Sequence, residues 1–367
     1  MNYIYHQKDW SKMTWDHERL TGQLAGVRHR QGRLIGRMEC LGFSLRNEAV
    51  LQTLTEDVLK SNEIEGEKLD KDQVRSSIAR RLGLDIGGLV AVDLHVEGVV
   101  EMMLDATVHY ADPLTEERLL AWHAALFPTG RSGMTRIAVG RWRDEQSDPM
   151  QVVSGPIGRE KLHYEAPAAK RVPREMHAFL NWFNDPQSID LVMAAGLAHL
   201  WFVTIHPFED GNGRMARAIA DIALARSENS SQRFYSMSAQ IRLERNAYYE
   251  MLEKTQKGGL DITLWQEWFL GCLDRAIEGA EQILAEIFRK ARFWDAHAQK
   301  PFHERQRAII NRLFDDFEGK LTSSKWAKLA KCSQDTALRD IDDLVKRGVL
   351  VKEPGGGRST SYSLASL

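Results

Sequence analysis

The sequence predicts a mostly α-helical protein in three parts. These are an N-terminal helical domain (1–110), a helical core carrying a β-hairpin flap (111–295), and a C-terminal helix–turn–helix with a two-stranded tip (300–367). Apolar residues recur at three-, four- and seven-residue steps through most of the chain, the period of an amphipathic helix. Between Gly130 and Pro167 the pattern changes, and glycines and prolines surround two short runs of extended character. After the charged stretch from Arg289 through His303, a fresh set of helix caps and stops begins.

Composition bounds the function classes. With 367 residues the chain can build two or three cores, and its 43% hydrophobic and 27% charged fractions are those of a soluble globular protein. A net charge of -2 supplies no global basic field, so nucleic acid is not the default partner. Cys40, Cys272 and Cys332 lie far apart, which argues against a disulfide framework or a metal knuckle and for a reducing compartment. Met1 to Gln7 lacks the basic-then-apolar order of a secretory leader. The longest apolar run, Leu191 to Ile205, is too short to span a bilayer and contains His199. The expectation is a cytoplasmic protein with no membrane segment.

Taken in order, Leu20, Leu24, Val27, Leu34 and Met38 mark a first helix. A second runs from about Glu48 through Leu51, Leu54 and Val58 to Ser61-Asn62-Glu63-Ile64-Glu65-Gly66, where Gly66 is a C-terminal stop. Asp70 caps a third through Val74, Ile78 and Leu82, ended by Gly83. Glu63, Glu65 and Glu67 crowd the end of the second helix, where each exposed negative charge opposes the macrodipole by about 0.3–1 kcal/mol. The residues alone leave two explanations open: a solvated acidic turn, or a carboxylate reaching for a cation such as Arg214 or Arg217.

Thr115 caps a helix to Phe127. Met150–Ser154 and Lys161–Glu165 flank a turn at Gly155–Gly158 and read as a hairpin, either inert or offering an edge strand to a peptide. Pro173 to Asn184 is helical and Pro186 closes it. Asp190 then caps Leu191–Ile205, apolar nearly all round and so central to the core. His206 precedes Pro207, which pushes it out of the α region, so the helix ends there with the imidazole off its tip. The next helix begins at Gly213 or Arg214, and Asn246–Lys257 and Thr263–Ala291 continue the pattern. Further on come Arg305–Phe317, a short helix capped by Thr322/Ser323, a turn at Cys332-Ser333, and Asp335–Arg347 stopped by Gly348. Val349–Val351 leads through Pro354-Gly355-Gly356-Gly357-Arg358 to Tyr362–Leu364, and the whole resembles a winged helix-turn-helix.

The chemistry concentrates in Ile205-His206-Pro207-Phe208-Glu209-Asp210-Gly211-Asn212-Gly213-Arg214-Met215-Ala216-Arg217. Two glycines let the backbone approach a ligand closely, and the free N–H groups of a helix start form an anion nest. Arg214 and Arg217 share one face of the first helical turn, against the macrodipole, so a bound polyphosphate explains them better than stability does. Asp210 beside phosphates suits Mg²⁺. His206 has the intrinsic pKa of a general base at neutral pH, whereas His199 reads as a packed core histidine.

These residues resemble, without departure, the signature of the Fic family of protein AMP-transferases, H-P-F-x-[D/E]-G-N-G-R-x-x-R. The resemblance covers about 110–280. It implies that His206 deprotonates a Ser, Thr or Tyr hydroxyl of a target protein, which attacks the α-phosphate of ATP and releases pyrophosphate. It further implies Mg²⁺ on Asp210, phosphates on Gly211, Asn212, Gly213 and Arg214, and the γ-phosphate on Arg217. Tyr248, Tyr249 and Gln256 would line the adenine pocket, with Val153 and Ser154 of the flap closing over the base. The segment Ser61-Asn62-Glu63-Ile64-Glu65-Gly66 fits the family's inhibitory helix, [S/T]-x-x-x-E-[G/N], so Glu65 would pair with Arg217. At about 4 Å and an effective dielectric of about 20, that pair has a gross attraction of about 4 kcal/mol, enough to compete with one phosphate oxygen.

Rival readings are a Fic enzyme that uses another nucleotide or removes AMP, and a nucleotide-sensing DNA-binding regulator. Asp335, Asp340, Asp342 and Asp343 on the recognition helix count against DNA, for which Arg339 and Arg358 are the well-placed cations. A metal hydrolase using His199, His206 and Asp210 would leave both arginines unexplained. Self-modification and a homodimer are compatible with the sequence.

Overall fold

The computed structural model describes residues 3–39, 42–84, 88–156, 158–185, 189–314, 317, 319–354 and 360–365. The chain forms two compact units, Met1–Glu281 and Gln282–Leu367. Among the described residues it is mostly helical, with three separate two-stranded antiparallel hairpins. No described helix is long and apolar enough to cross a membrane.

The first unit opens with α1 (His17–Glu39), α2 (Phe43–Ile64), α3 (Lys71–Arg81), α4 (Leu94–Val108) and α5 (Glu116–Leu126). Local chemistry ends most of them where the sequence indicates. Asp70, Asp93 and Thr115 each accept a backbone N–H at a helix start, and Gly66 turns the chain away from α2 with φ 88°. Helix α2 begins earlier than its apolar spacing indicates, at Phe43. It is anchored to the body through Asp57, whose buried carboxylate accepts the Ser238 N–H at 3.2 Å and the Ser236 hydroxyl. Helices α4 and α5 touch backbone to backbone at Gly98, where a Cβ would overlap the Ala125 carbonyl.

A small hairpin, β1 (Arg131–Ser132) with β2 (Thr135–Arg136), precedes the larger β3 (Gln151–Ser154) with β4 (Lys161–Glu165). The larger hairpin lies against the helical body, where the buried Tyr164 hydroxyl donates to the Thr204 carbonyl at 2.6 Å. Helix α6 (Val172–Asn184) follows; Pro186, like Cys40 and Ile157 of the hairpin turn, lies outside the described residues. At the centre is α7 (Leu191–Ile205), capped by Asp190 and buried at every position from Val192 to Ile205. It packs along α8 (Asn212–Glu228), and α9 (Met237–Leu243), α10 (Arg245–Gln256) and α11 (Thr263–Ala296) complete the run.

The second unit holds α12 (Glu304–Phe314), α13 (Ser323–Leu329), α14 (Gln334–Lys346) and the antiparallel pair β5 (Leu350–Lys352) and β6 (Tyr362–Leu364). Its core includes Phe293, Ile310, Trp326, Ile341, Leu344 and Val349. Two of the acids on α14 are already neutralised at home. Asp340 accepts from Arg305 at 2.7 Å and lies 3.1 Å from His303 Nε2, while Asp343 accepts from Gln306 and Arg347. Gly355 to Arg358 lie outside the described residues.

Candidate active site

The six residues between α7 and α8, together with the ends of those helices, build the site. His206 caps α7 in the left-handed region (φ 52°, ψ 59°), not in the extended region preferred before proline. The αL turn lets its N–H still close onto the Phe202 carbonyl at 3.0 Å, as a C-terminal glycine would. For a non-glycine residue that geometry costs about 1–2 kcal/mol. The His206 Nδ1 lies 3.2 Å from the Val203 carbonyl, which can only accept, so the proton belongs on Nδ1 and the Nε2 lone pair is free among the described residues. Burial lowers the imidazole pKa to about 4; the Val203 carbonyl opposes that shift and the Arg143 cation adds to it. At neutral pH His206 is therefore a neutral base.

The loop is closed by Asn212, whose side chain accepts the Phe208 N–H at 3.0 Å and donates to the Phe208 carbonyl at 2.8 Å. Its amide is thus spent on shaping the loop. Gly211 sits at φ 80° with the Phe127 ring beneath it, where a Cβ would come within 2.9 Å of Cε2. Asp210 accepts the Gly211 N–H at 2.5 Å and the Ser132 hydroxyl of β1. Under the loop His123 faces the Asp210 carbonyl through Nε2 (3.3 Å), accepts the Gly140 N–H on Nδ1 (3.2 Å), and stacks on Phe208. Burial drives the His123 pKa down to about 4, so it too is neutral.

Arg214 and Arg217, in the first turns of α8, are buried and face the end of α2. Arg217 donates through Nε to the Ser61 hydroxyl (2.9 Å) and through Nη2 to the Ser61 carbonyl (2.8 Å) and Glu65 Oε1 (2.9 Å). Gly213 makes room for that carboxylate, since a Cβ there would collide with Glu65 Oε1. Arg214 donates through Nη1 to Glu67 Oε2 at 2.8 Å and to Asn62 Oδ1 at 3.3 Å, with its Cζ 5.0 Å from the Phe127 centroid. Its Nε is buried with no hydrogen-bond partner among the described residues, an unsatisfied cationic donor at the helix start. Glu67 also meets His95 Nε2 at 3.5 Å, and the pair pulls the carboxyl pKa down and the imidazole pKa up. The third acid of the cluster, Glu63, pairs instead with Lys60 and Arg242.

The remaining sequence candidates divide. Tyr248 is 1% exposed and bonds His199 Nε2 at 2.8 Å, so it stands behind the site as core. Gln256 is likewise buried, donating to the Thr204 hydroxyl at 3.3 Å. Tyr249 lies beside the latch, its hydroxyl 3.5 Å from Glu65 Oε2 and its ring under Arg245. On the hairpin Val153 is 49% exposed, while the Ser154 hydroxyl meets His163 Nε2 at 2.6 Å. His163 Nδ1 in turn meets Glu253 of α10 at 2.6 Å. Nothing in the sequence places Arg143, His123, Phe127 and Ser132 at the site, because no local pattern marks a residue that reaches the loop from elsewhere; it left open a carboxylate on Arg214 or Arg217 without saying that Glu67 is the one on Arg214.

Residues 3–84 match the family described as Domain of unknown function (DUF4172), and residues 113–224 match the Fic/DOC family. The first match contains Ser61 to Gly66 and the second contains His206 to Arg217; Tyr248, Tyr249 and Gln256 lie beyond both. The protein adenylyltransferase Fic of Nematostella vectensis is 23% identical over 234 residues, covering 63% of this chain and 49% of that protein. That of Drosophila mojavensis is 32% identical over 105 residues, covering 28% of this chain and 19% of that protein. The chain thus spans about half or less of the length of these relatives. In fold, it is similar to a Fic family protein from Desulfovibrio desulfuricans G20 (TM-score 0.52, 22% identity, 94% of this chain and 96% of that one).

Proposed function

We propose, on the premise that residues 113–224 are a Fic/DOC-family domain, that this chain is an autoinhibited protein adenylyltransferase. It moves AMP from ATP to a Ser, Thr or Tyr hydroxyl of a target protein. The names of the curated relatives support adenylyl transfer as the reaction. The observation that carries the proposal is a juxtaposition across one short turn. A neutral His206 with a free Nε2 ends α7, and an amide-rich helix start with two buried arginines begins α8.

In the proposed reaction the target hydroxyl gives its proton to His206 Nε2 as its oxygen bonds to the α-phosphorus. The bond from that phosphorus to the bridging oxygen breaks, and pyrophosphate leaves with the electron pair. The first N–H groups of α8 and Arg214 hold the phosphates, and Arg217 takes the γ-phosphate. Asp210 suits Mg²⁺, which binds through one or two carboxylates plus substrate phosphates; among the described residues no cluster offers an all-protein cage. Asp210 would hold that ion, which would supply positive charge to offset the negative charge of the phosphates. With Glu65 on Arg217, the γ-phosphate loses its partner and the α-phosphate is held out of line. Tyr249, with Val153 and Ser154 of the hairpin, is assigned to the adenine side, and the buried Tyr248 and Gln256 support it from behind. The C-terminal unit acts as a winged-helix docking module, action is cytoplasmic, and the released enzyme also modifies itself.

The test is labelling with α-phosphate-tagged ATP and Mg²⁺. Glu65→Gly is expected to transfer label to protein, and adding His206→Ala to abolish the transfer. Covalent labelling by the double variant would remove His206 from its role, and preference for UTP, GTP or γ-label would redefine the reaction.

A further inference from the structure

The αL conformation of His206 needs something to hold it, and the contacts of one residue far upstream converge there. Arg143 donates its backbone N–H to the Pro207 carbonyl at 2.9 Å and its Nε to the His206 carbonyl at 2.8 Å. Its Nη2 donates to the Pro167 carbonyl below β4, and its Nη1 pairs with Asp148 Oδ1 at 2.8 Å. Asp148 is itself fixed by the Ala169 N–H at 2.9 Å. The Arg143 side chain has no solvent exposure, so this is a built, dehydrated clamp and not a surface contact.

We propose that Arg143 is the positioning residue for His206: by fixing the carbonyls on both sides of the His206–Pro207 bond, it sets the direction in which the imidazole leaves the tip of α7. Carbonyls at a helix C-terminus have no partners within the helix, and here Arg143 meets two that follow α7, the His206 carbonyl through its side chain and the Pro207 carbonyl through its backbone N–H. Only a planar guanidinium with several donors in a fixed fork can hold the His206 carbonyl, the Pro167 carbonyl and a carboxylate together. A water or an ammonium would leave the loop free to relax towards the extended conformation favoured before proline. The same cation lies close enough to disfavour a charged imidazole, alongside the opposing fields of Asp210 and Glu65.

The assignment rests on the Fic-based reading for its catalytic consequence but not for its structural one, and the experiment separates the two. In the full-length Glu65→Gly background, Arg143→Ala is expected to bind ATP within about twofold of the parent and to lose about 100-fold in kcat, as misplacement of a reacting group by ~1 Å does. Guanidinium ion added to Arg143→Ala is expected to restore part of that kcat. Arg143→Lys, which keeps charge and bulk, guards against a folding failure. In it the His206 imidazole resonances, followed by NMR against pH, are expected to move and to titrate at a different midpoint. A folded Arg143→Ala with parental kcat overturns the assignment, and so does parallel loss of kcat and ATP affinity without guanidinium rescue. If the Glu65→Gly parent transfers no nucleotide, the adenylyltransferase reading fails instead. The NMR readout then decides alone, and unmoved His206 resonances in Arg143→Lys overturn the clamp.

Discussion

A base that burial keeps neutral works only while nothing protonates it. The folded pKa of His206 is depressed to about 4, so its free Nε2 is present above that pH and lost as pH falls through it. A bound triphosphate brings negative charge beside the ring and raises the pKa in the complex. For the Glu65→Gly enzyme we therefore expect the acid limb of kcat to lie at higher pH than the acid limb of kcat/KM. Steady-state profiles in overlapping buffers would show it; coincident limbs would mean that His206 does not feel the substrate's charge. At this scale much was legible. Pro207, the two glycines and the two arginines define the turn and its chemistry locally. The left-handed backbone of His206 was not legible, since the rule for a residue before proline points to extended geometry, whereas the bond to the Phe202 carbonyl and the contact of Arg143 go with the left-handed one.

The end of α2 acts as one element with two contacts. Glu65 meets Arg217, and two residues later, past the turn at Gly66, Glu67 meets Arg214. Releasing Glu65 alone should therefore free only half of the phosphate-binding charge. Adding Glu67→Gln to Glu65→Gly is expected to tighten ATP binding about three- to tenfold, the modest range set by the partial exposure of Glu67. Calorimetric titration of the two variants decides, and equal affinities would make Glu67 a bystander. The family resemblance implied the Glu65 contact, and the crowd of acids at a helix C-terminus flagged the region. Which acid meets which arginine could not be read, because it depends on the path of the chain through Gly66 and on α2 being anchored at Asp57.

For the molecule as a whole, the two units carry separate questions. The acids of α14 counted against DNA in the sequence, but Asp340 and Asp343 are already paired within their own unit, which leaves Asp335 and Asp342 to oppose phosphate. Repulsion is therefore weaker than the residue count suggests, while the attraction still depends on few cations. With the intact chain we expect weak, sequence-indifferent duplex binding that disappears near ~0.15 M salt, measured by fluorescence anisotropy. Sequence-selective capture surviving that salt would revive the regulator reading. By itself the sequence determined the helical class, most caps and stops, the hairpin strands and the constellation from His206 to Arg217. Each of these depends on neighbours within a few residues and so appears as spacing. The tertiary structure decided the clamp of Arg143 on His206, the pairing of Glu67 with Arg214, and the withdrawal of Tyr248 into the core against His199. Those contacts join residues some 50 to 150 positions apart, and their partners are set by how buried helices pack, which no local pattern records.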